Sequence, residues 1–308
     1  MRVTRPEPEQ FDWRSGSGGA ADVRRITDAA EAVDGRAALN EAAVLSLRNH
    51  GLDTGILFLA QDEQGSAQGF AYLHGLHGPG RPELDLVVAP DARGRGLGTA
   101  LAEAALDAVE GIPLTAWSHG NHPAAGALAT RLGLRAVREL WLMRRKASGD
   151  VPKAVVPAGV VIRPFRPGED DTGFLRVNAS AFATHPEQGS LDQRGLDERK
   201  AEEWFDPEGF LVADKDFEVV GFHWTKVHPA AGATPSYGEV YVIGVDPGMQ
   251  GSGLGRALLA AGLEHLRGRG LGEVVLYVEA DNATAVQLYH RFGFGHAPAD
   301  TDVMYAVG

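Results

Sequence analysis

The chain has 308 residues, room for two domains at about 100–200 residues each, and its 44% hydrophobic and 23% charged content is that of a globular protein. A net charge of −12 argues against a nucleic-acid partner, because phosphate binding depends on clustered Lys and Arg; it suits a cationic small substrate or a plain solvated surface. The absence of cysteine removes disulfides and thiolate metal sites and fits a reducing compartment. Met1 to Gln10 has no apolar signal core, and no apolar run approaches the roughly 20 residues that cross a bilayer. A soluble cytoplasmic monomer with no membrane partner is expected.

In chain order, residues 56–60 and 68–72 read as two strands of a hairpin around a charged turn. Residues 84–88 form a strand ending at Pro90, and the loop Arg93-Gly94-Arg95-Gly96-Leu97-Gly98 opens a helix over 99–109. A strand (113–117), a helix (124–131), a Leu132-Gly133-Leu134 turn and a strand (137–143) follow. Residues 147–158, rich in proline, Gly and Asp, read as a linker between domains at 1–146 and 159–308. The series then recurs: strands at 210–213 and 220–224, a strand at 240–245, the loop Gln250-Gly251-Ser252-Gly253-Leu254-Gly255, and a helix at 256–266. A strand (273–278), a helix (283–291) and a final strand (302–306) close this half. The loops repeat at an offset of 157 residues and the turns Arg131-Leu132-Gly133-Leu134 and Arg291-Phe292-Gly293-Phe294 at 160, the mark of a duplicated domain. Alternating strands and helices predict an α/β fold with helices covering the sheet.

Glycines after a strand let the backbone bend sharply and aim N–H groups at phosphate oxygens, with the positive end of the helix dipole behind them. A P-loop would end in Gly-Lys-Ser/Thr and a dinucleotide fingerprint would read Gly-x-Gly-x-x-Gly; both loops here read Gly-x-Gly-x-Gly. One such loop could be a plain turn, but two in the same context point to a pyrophosphate. The pattern Arg/Gln-x-x-Gly-x-Gly resembles the signature of GNAT-type N-acetyltransferases. That resemblance implies two tandem GNAT-type domains, each a mixed, mostly antiparallel sheet with helices on both faces. It also implies acetyl-CoA along a strand splayed from its neighbour, at Leu86, Val87 and Val88 and at Ile243, Gly244 and Val245. The loops would add Gly94, Arg95, Gly96, Leu97, Gly98 and Thr99, and Gln250, Gly251, Ser252, Gly253, Leu254, Gly255 and Arg256.

Acetyl transfer to an amine needs a base for the amine and benefits from an acid for the leaving thiolate. Glu239, Tyr241 and Ile243 alternate along one strand face, which sets Glu239 beside the splay; otherwise it is a strand-end carboxylate. Tyr289 lies on the helix where the family commonly carries an acid tyrosine, or else is a core residue. The 157- and 160-residue offsets match these to Pro82 and Ala129, so the first half is expected to be non-catalytic.

The strings His185-Pro186-Glu187-Gln188-Gly189, Glu203-Trp204-Phe205-Asp206-Pro207, Gly221 to Pro229, Gly238 to Val242 and Trp117-Ser118-His119-Gly120 resemble the mycothiol synthase family over nearly the whole chain. The resemblance implies acetylation of the cysteinyl amine of desacetylmycothiol, a pseudodisaccharide thiol, with Glu239 as base and Tyr289 as acid. Substrate contacts would be Glu41, Glu187, Lys226, Glu239 and Tyr277; acetyl-CoA would also contact Asn282, Ala283, Thr284, Ala285, Val286 and Gln287. Read without it, Glu41, Glu187 and Glu239 are acceptors suited to hydroxyls and an ammonium and Lys226 a donor to a sugar or amide oxygen; the plain alternatives are a solvated helix residue at Glu41, a loop residue at Glu187, a surface lysine at Lys226 and a core residue at Tyr277. Another amine acceptor or a CoA-binding sensor are the alternatives. The second loop departs from the family in carrying Gly251 and Ser252 where basic residues are common. No metal is expected: His74 with His77, and His119 with His122, lack a third ligand at recognisable spacing.

Overall fold

The computed structural model describes residues 2–76, 81–109, 111–183, 188–230 and 234–307. The chain divides into two compact units, Met1–Leu140 with Ala299–Gly308, and Trp141–Pro298. The first contains β1 (Arg2–Thr4), α1 (Ala20–Asp34), α2 (Glu41–His50), β2 (Gly55–Gln61), β3 (Ala67–His74), β4 (Glu83–Val88), α3 (Leu97–Asp107), β5 (Thr115–Ser118) and α4 (Pro123–Arg131). Strand β6 (Leu134–Lys146) passes into the second unit at Trp141. The second unit continues with β7 (Val160–Pro164), α5 (Asp171–Ala181), α6 (Gln193–Lys200), β8 (Phe210–Lys215), β9 (Glu218–His228) and β10 (Tyr237–Val245). It ends with α7 (Leu254–Arg267), β11 (Glu273–Glu279), α8 (Ala283–Arg291) and the start of β12 (Gly295–Val307).

In the first unit the order β1-β2-β3-β4-β5 is antiparallel except for the parallel β4·β5 pair. In the second, β7-β8-β9-β10 is antiparallel and β10·β11 parallel. Helix α1 buries Val23, Ile26 and Ala30, spaced by three and four residues so that they share one face, in the first core. In the second unit an aromatic cluster anchors the sheet: Phe210 stacks between Phe165 (4.1 Å) and Trp224 (4.3 Å), with Phe174 edge-on at 5.0 Å. Such offset and edge contacts add about 0.5–1.5 kcal/mol each beyond area burial.

The final strand does not close its own half. Val303 to Ala306 pair with Ser118 to Thr115 of β5, and so complete the first unit. Conversely, Met143 and Ala147 are buried in the core of the second unit with Val274 and Leu276. The segment expected as a free linker starts inside that core: Ala147 N donates to Gly272 O (3.2 Å), and Arg145 Nη2 donates to the carbonyls of Gly149 and Asp150. Among the described residues, no helix is long and apolar enough to cross a membrane.

Candidate active site

Each unit contains a pair of parallel strands that part. Strand β10 pairs with β11 only over Gly238, Glu239 and Val240, against Val274, Val275 and Leu276. From Tyr241 to Val245 its edge toward β11 is open. Strand β4 pairs with β5 only at Glu83 and Leu84, leaving Asp85 to Val88 open in the same way. The free backbone N–H and C=O groups along such an edge must find partners, and an extended amide-bearing arm supplies them.

At the wide end of each opening lie the glycine loops. Gly94 and Gly96 (φ 75° and 83°) and Gly251 and Gly253 (φ 76° and 90°) share the left-handed conformation that residues with a Cβ avoid. The first helical bonds, Ala100 N to Gly96 O and Ala257 N to Gly253 O, leave the preceding N–H groups for an anion. Arg93 does not face a ligand: its guanidinium bridges both oxygens of Asp34 at 2.7 Å and its Nε donates to Val88 O. Arg95 donates to Asp91 O. In the second loop the Arg256 guanidinium lies 3.5 Å from where a Gly253 Cβ would stand, so α7 supplies a cation that Gly251 and Ser252 do not. Asn282 caps α8 by accepting from Ala285 N (3.1 Å), and Asn282, Ala283, Thr284 and Gln287 are exposed on its first turns. In the first unit a cavity of about 400 Å³ runs from the splay to the loop, lined by Leu86, Val88, Gly96, Thr99, Trp117 and Tyr305 among others. These surroundings fit acetyl-CoA in both units: open strand edge for the pantetheine amides, N–H groups for the pyrophosphate.

Glu239 sits at the last paired stretch before β10 and β11 part. It is 9% exposed, and its Oε2 lies 2.6 Å from His228 Nε2 at the end of β9. Lys226, opposite Glu239 in the β9·β10 register, is half-buried, with Nζ 4.2 Å from the Trp204 ring centroid and 5.2 Å from that of Tyr241. It is a cation held against aromatic faces, not a free surface lysine. Arg199 Nε donates to Tyr241 Oη (2.9 Å). Tyr277 on β11 is 45% exposed, which overturns its reading as a core residue. Tyr289 is buried on α8 against Phe294 (5.9 Å), and burial raises its hydroxyl to about 12. That hydroxyl makes no hydrogen bond to the protein among the described residues. Glu187 lies outside the described residues, as do His185 and Pro186. Glu41 begins α2 in the first unit, next to the cap Asn40.

The alternation expected over Glu239, Tyr241 and Ile243 is broken. Val240 faces Thr225 and Val242 faces Trp224, so Tyr241 is an extra residue, a β-bulge. Strand β4 has no such insertion. The constant offset therefore mismatches the strands, and Pro82 is not the counterpart of Glu239. By register, Glu239 faces Lys226 and Val275, and Glu83 faces His74 and Thr115, the repeat equivalents of those two residues. The counterpart is Glu83. It accepts from Asn40 Nδ2 (2.8 Å) and lies 3.7 Å from His74 Nε2. His74, Glu83 and Asp85 gather their ligand-type atoms within 4.8 Å, a grouping that the His74–His77 spacing did not signal. Burial is the largest single influence on His74 and opposes its charge, but the hydrogen bond from its Nε2 to Asp85 (2.9 Å) and the charges of Asp85 and Glu83 together outweigh it and raise the imidazole, so the trio reads as an ion-paired cluster. His119, at the cavity wall, is likewise raised against its burial by Asp302 (3.2 Å), which also accepts from Gly120 N and Arg36. Sequence reasoning missed His228, Trp204 and Asp302 as site-building residues; the strings Lys226-Val227-His228 and Glu203-Trp204-Phe205 were the available signal.

The profile of the Acetyltransferase (GNAT) family matches residues 26–134 and again 179–294. The chain belongs to this family. It is an acetyl-CoA-dependent N-acetyltransferase made of two GNAT domains. Among curated relatives, the mycothiol acetyltransferase of Nocardioides sp. is 50% identical over 92% of this chain and 96% of its own length. That of Nocardia farcinica is 51% identical over 92% of each chain. Among solved structures, a tandem GNAT protein from the clavulanic acid biosynthesis pathway aligns at TM-score 0.74 and 20% identity, over 99% of this chain and 98% of its own. A GCN5-related N-acetyltransferase from Sphaerobacter thermophilus aligns at 0.68 and 24%, over 99% and 94%. At that identity both speak for the fold alone.

Proposed function

We propose that the chain transfers the acetyl group of acetyl-CoA to the cysteinyl amine of desacetylmycothiol, and that the second unit performs the transfer. The observation that carries the assignment of the reacting unit is that it combines a buried carboxylate at the vertex of its strand splay, Glu239, with a tyrosine on the following helix, Tyr289, where the first unit has Ala129. The naming of relatives at about half identity supports the acceptor.

Acetyl-CoA supplies the activated thioester. Ile243 to Val245 would hold its pantetheine arm by backbone pairing, and the N–H groups after Gly253 its pyrophosphate, with Arg256 adding charge. Glu239 takes the proton of the attacking amine, so that nitrogen adds to the thioester carbonyl as the neutral base. Tyr289, protonated throughout the physiological range, donates to the departing sulfur as the carbon–sulfur bond breaks. Lys226 and Tyr277 offer donors to sugar or amide oxygens, and Glu41 and Glu187 offer acceptors to hydroxyls.

The first unit keeps the cofactor-shaped cavity without the transfer pair: Ala129 stands where α8 carries Tyr289, and the Glu83 carboxylate is engaged by Asn40. Its role in this reading is to hold acetyl-CoA without turnover, and the whole chain acts as a monomer with no metal. The test is release of free CoA from acetyl-CoA with desacetylmycothiol, the product identified by mass. N-acetylated product formed well above the rate with simple amines supports the reading. Equal rates with aminoglycosides, polyamines or peptide N-termini move the acceptor elsewhere. Acetyl-CoA bound without any CoA release leaves a sensor.

A further inference from the structure

Acetylation of an ammonium group releases one net proton. The amine arrives as R–NH3+ and loses two protons in becoming a neutral amide: one makes good the proton that Tyr289 gives to sulfur, and the other is the net release. The proton that Glu239 collects must therefore leave. Its carboxylate is poorly placed to discard it alone: the side chain is 12% exposed, inside the sheet between β9 and β11. His228 is the one imidazole in hydrogen-bond contact with it among the described residues, at 2.6 Å, and its own side chain is 25% exposed.

We propose that His228 is a positioning residue that fixes the orientation of Glu239 and relays its proton from the buried strand to solvent. The proposal rests on the reading of Glu239 as the base. The geometry gives His228 one orientation. Its ring stacks on Tyr237 at 4.3 Å and 9°, the residue opposite it in the β9·β10 register, so Nε2 is turned toward Glu239 and the other edge of the ring away from it. The charged and titratable groups set against it are Glu239 and Tyr237 on β10, and Lys226 two residues back along its own strand. In the relay the Glu239 carboxyl passes its proton to Nε2 and the imidazolium gives up its Nδ1 proton to water. This restores a carboxylate and, after tautomer exchange, a neutral ring; no oxidant or further reactant is needed. The first unit lacks this arrangement. His74 occupies the place of Lys226, and its Nε2 is bound to Asp85 instead.

The test uses the full chain and three variants, His228→Gln, His228→Ala and Glu239→Gln, with CoA release measured over pH 5.5–9. Gln keeps an amide donor for Glu239 but carries no proton. His228→Gln should lower kcat about tenfold, leave the KM for the amine within about twofold, and displace the acid limb of the rate profile. Free imidazole added to His228→Ala should restore rate in proportion to its neutral fraction. His228→Gln with kcat and profile unchanged overturns the relay, and so does a His228→Ala defect that imidazole does not touch. If a variant melts at a lower temperature, the imidazole response alone decides. Glu239→Gln separates the two levels: if it keeps full rate, the base assignment fails; if it loses rate while His228→Gln does not, only the relay fails.

Discussion

Replacing Tyr289 by Phe isolates one oxygen. The ring is 7% exposed and packed on Phe294, and those contacts survive the substitution. The hydroxyl has no hydrogen-bond partner in the protein among the described residues, so its removal leaves no buried group unpaired, and the change in stability at neutral pH should stay within about 0.5 kcal/mol. If the same hydroxyl protonates the leaving thiolate, its loss costs about 10²–10⁴ in rate, or about 3–5 kcal/mol of transition-state stabilisation. Alkaline stability gives an independent reading. Burial raises Tyr289 to about 12, whereas in the unfolded chain it titrates near the ordinary tyrosine value of about 10. The unfolded state therefore releases its proton first, and stability present below pH 10 is lost on the way to pH 12, by on the order of 3 kcal/mol. The phenyl ring of the Tyr289→Phe variant has nothing to titrate, so urea midpoints should coincide at pH 8 and diverge in favour of the variant at pH 11. The assays are CoA release with acetyl-CoA and desacetylmycothiol, and urea unfolding at the two pH values. A kcat/KM within threefold of the parent refutes the acid role; a midpoint clearly lowered at pH 8 refutes the claim that the oxygen is structurally idle.

His223 is fully buried on β9, hydrogen-bonded from Nδ1 to Leu258 O (2.8 Å), and burial lowers it to about 4. Below pH 6.5 the unfolded chain takes the proton first, so stability present above 6.5 should fall by on the order of 3 kcal/mol toward pH 4, visible as a declining urea midpoint that His223→Gln flattens. Asp302→Ala strips one carboxylate from Arg36, His119 and Gly120 N together; with the Asp302 side chain 4% exposed, the loss should be about 3–5 kcal/mol, read by thermal unfolding. Gly253→Ala forces a Cβ into φ 90° at a strain of about 1–2 kcal/mol. It should weaken acetyl-CoA binding by calorimetry about tenfold; an unchanged Kd would mean that the loop is a turn and not a phosphate cradle.

The tandem architecture was legible because its signals are local. Paired glycines, a proline at each strand end and helical spacing at residues 256–266 need no knowledge of distant contacts. Helix α8 runs over the expected residues, Ala283–Arg291. What failed was non-local. The bulge at Tyr241 is a one-residue slip that leaves hydrophobic alternation looking intact, yet it shifts the strand upstream of it and hid the match between Glu239 and Glu83. The exposure of Tyr277 was equally hidden, since an apolar strand whose neighbour peels away reads like any other. The fate of the final strand was also beyond the reach of spacing. Its residues suit any sheet edge, and only pairing with Ala116 and Trp117 decides which one they join.

That last strand bears on how the molecule comes into being. A ribosome delivers residues 1–140 long before it delivers 299–308, and at about 5–20 residues per second the interval is roughly ten to thirty seconds. Throughout it, β5 has an unsatisfied edge next to an apolar cavity, the kind of surface that chaperones cover and that pairs with the wrong chain. The earliest-made part of the protein is thus the last to be finished. Separating the two halves at the apparent linker would not yield two natural fragments; it would leave one without its closing strand and burden the other with a strand that belongs elsewhere.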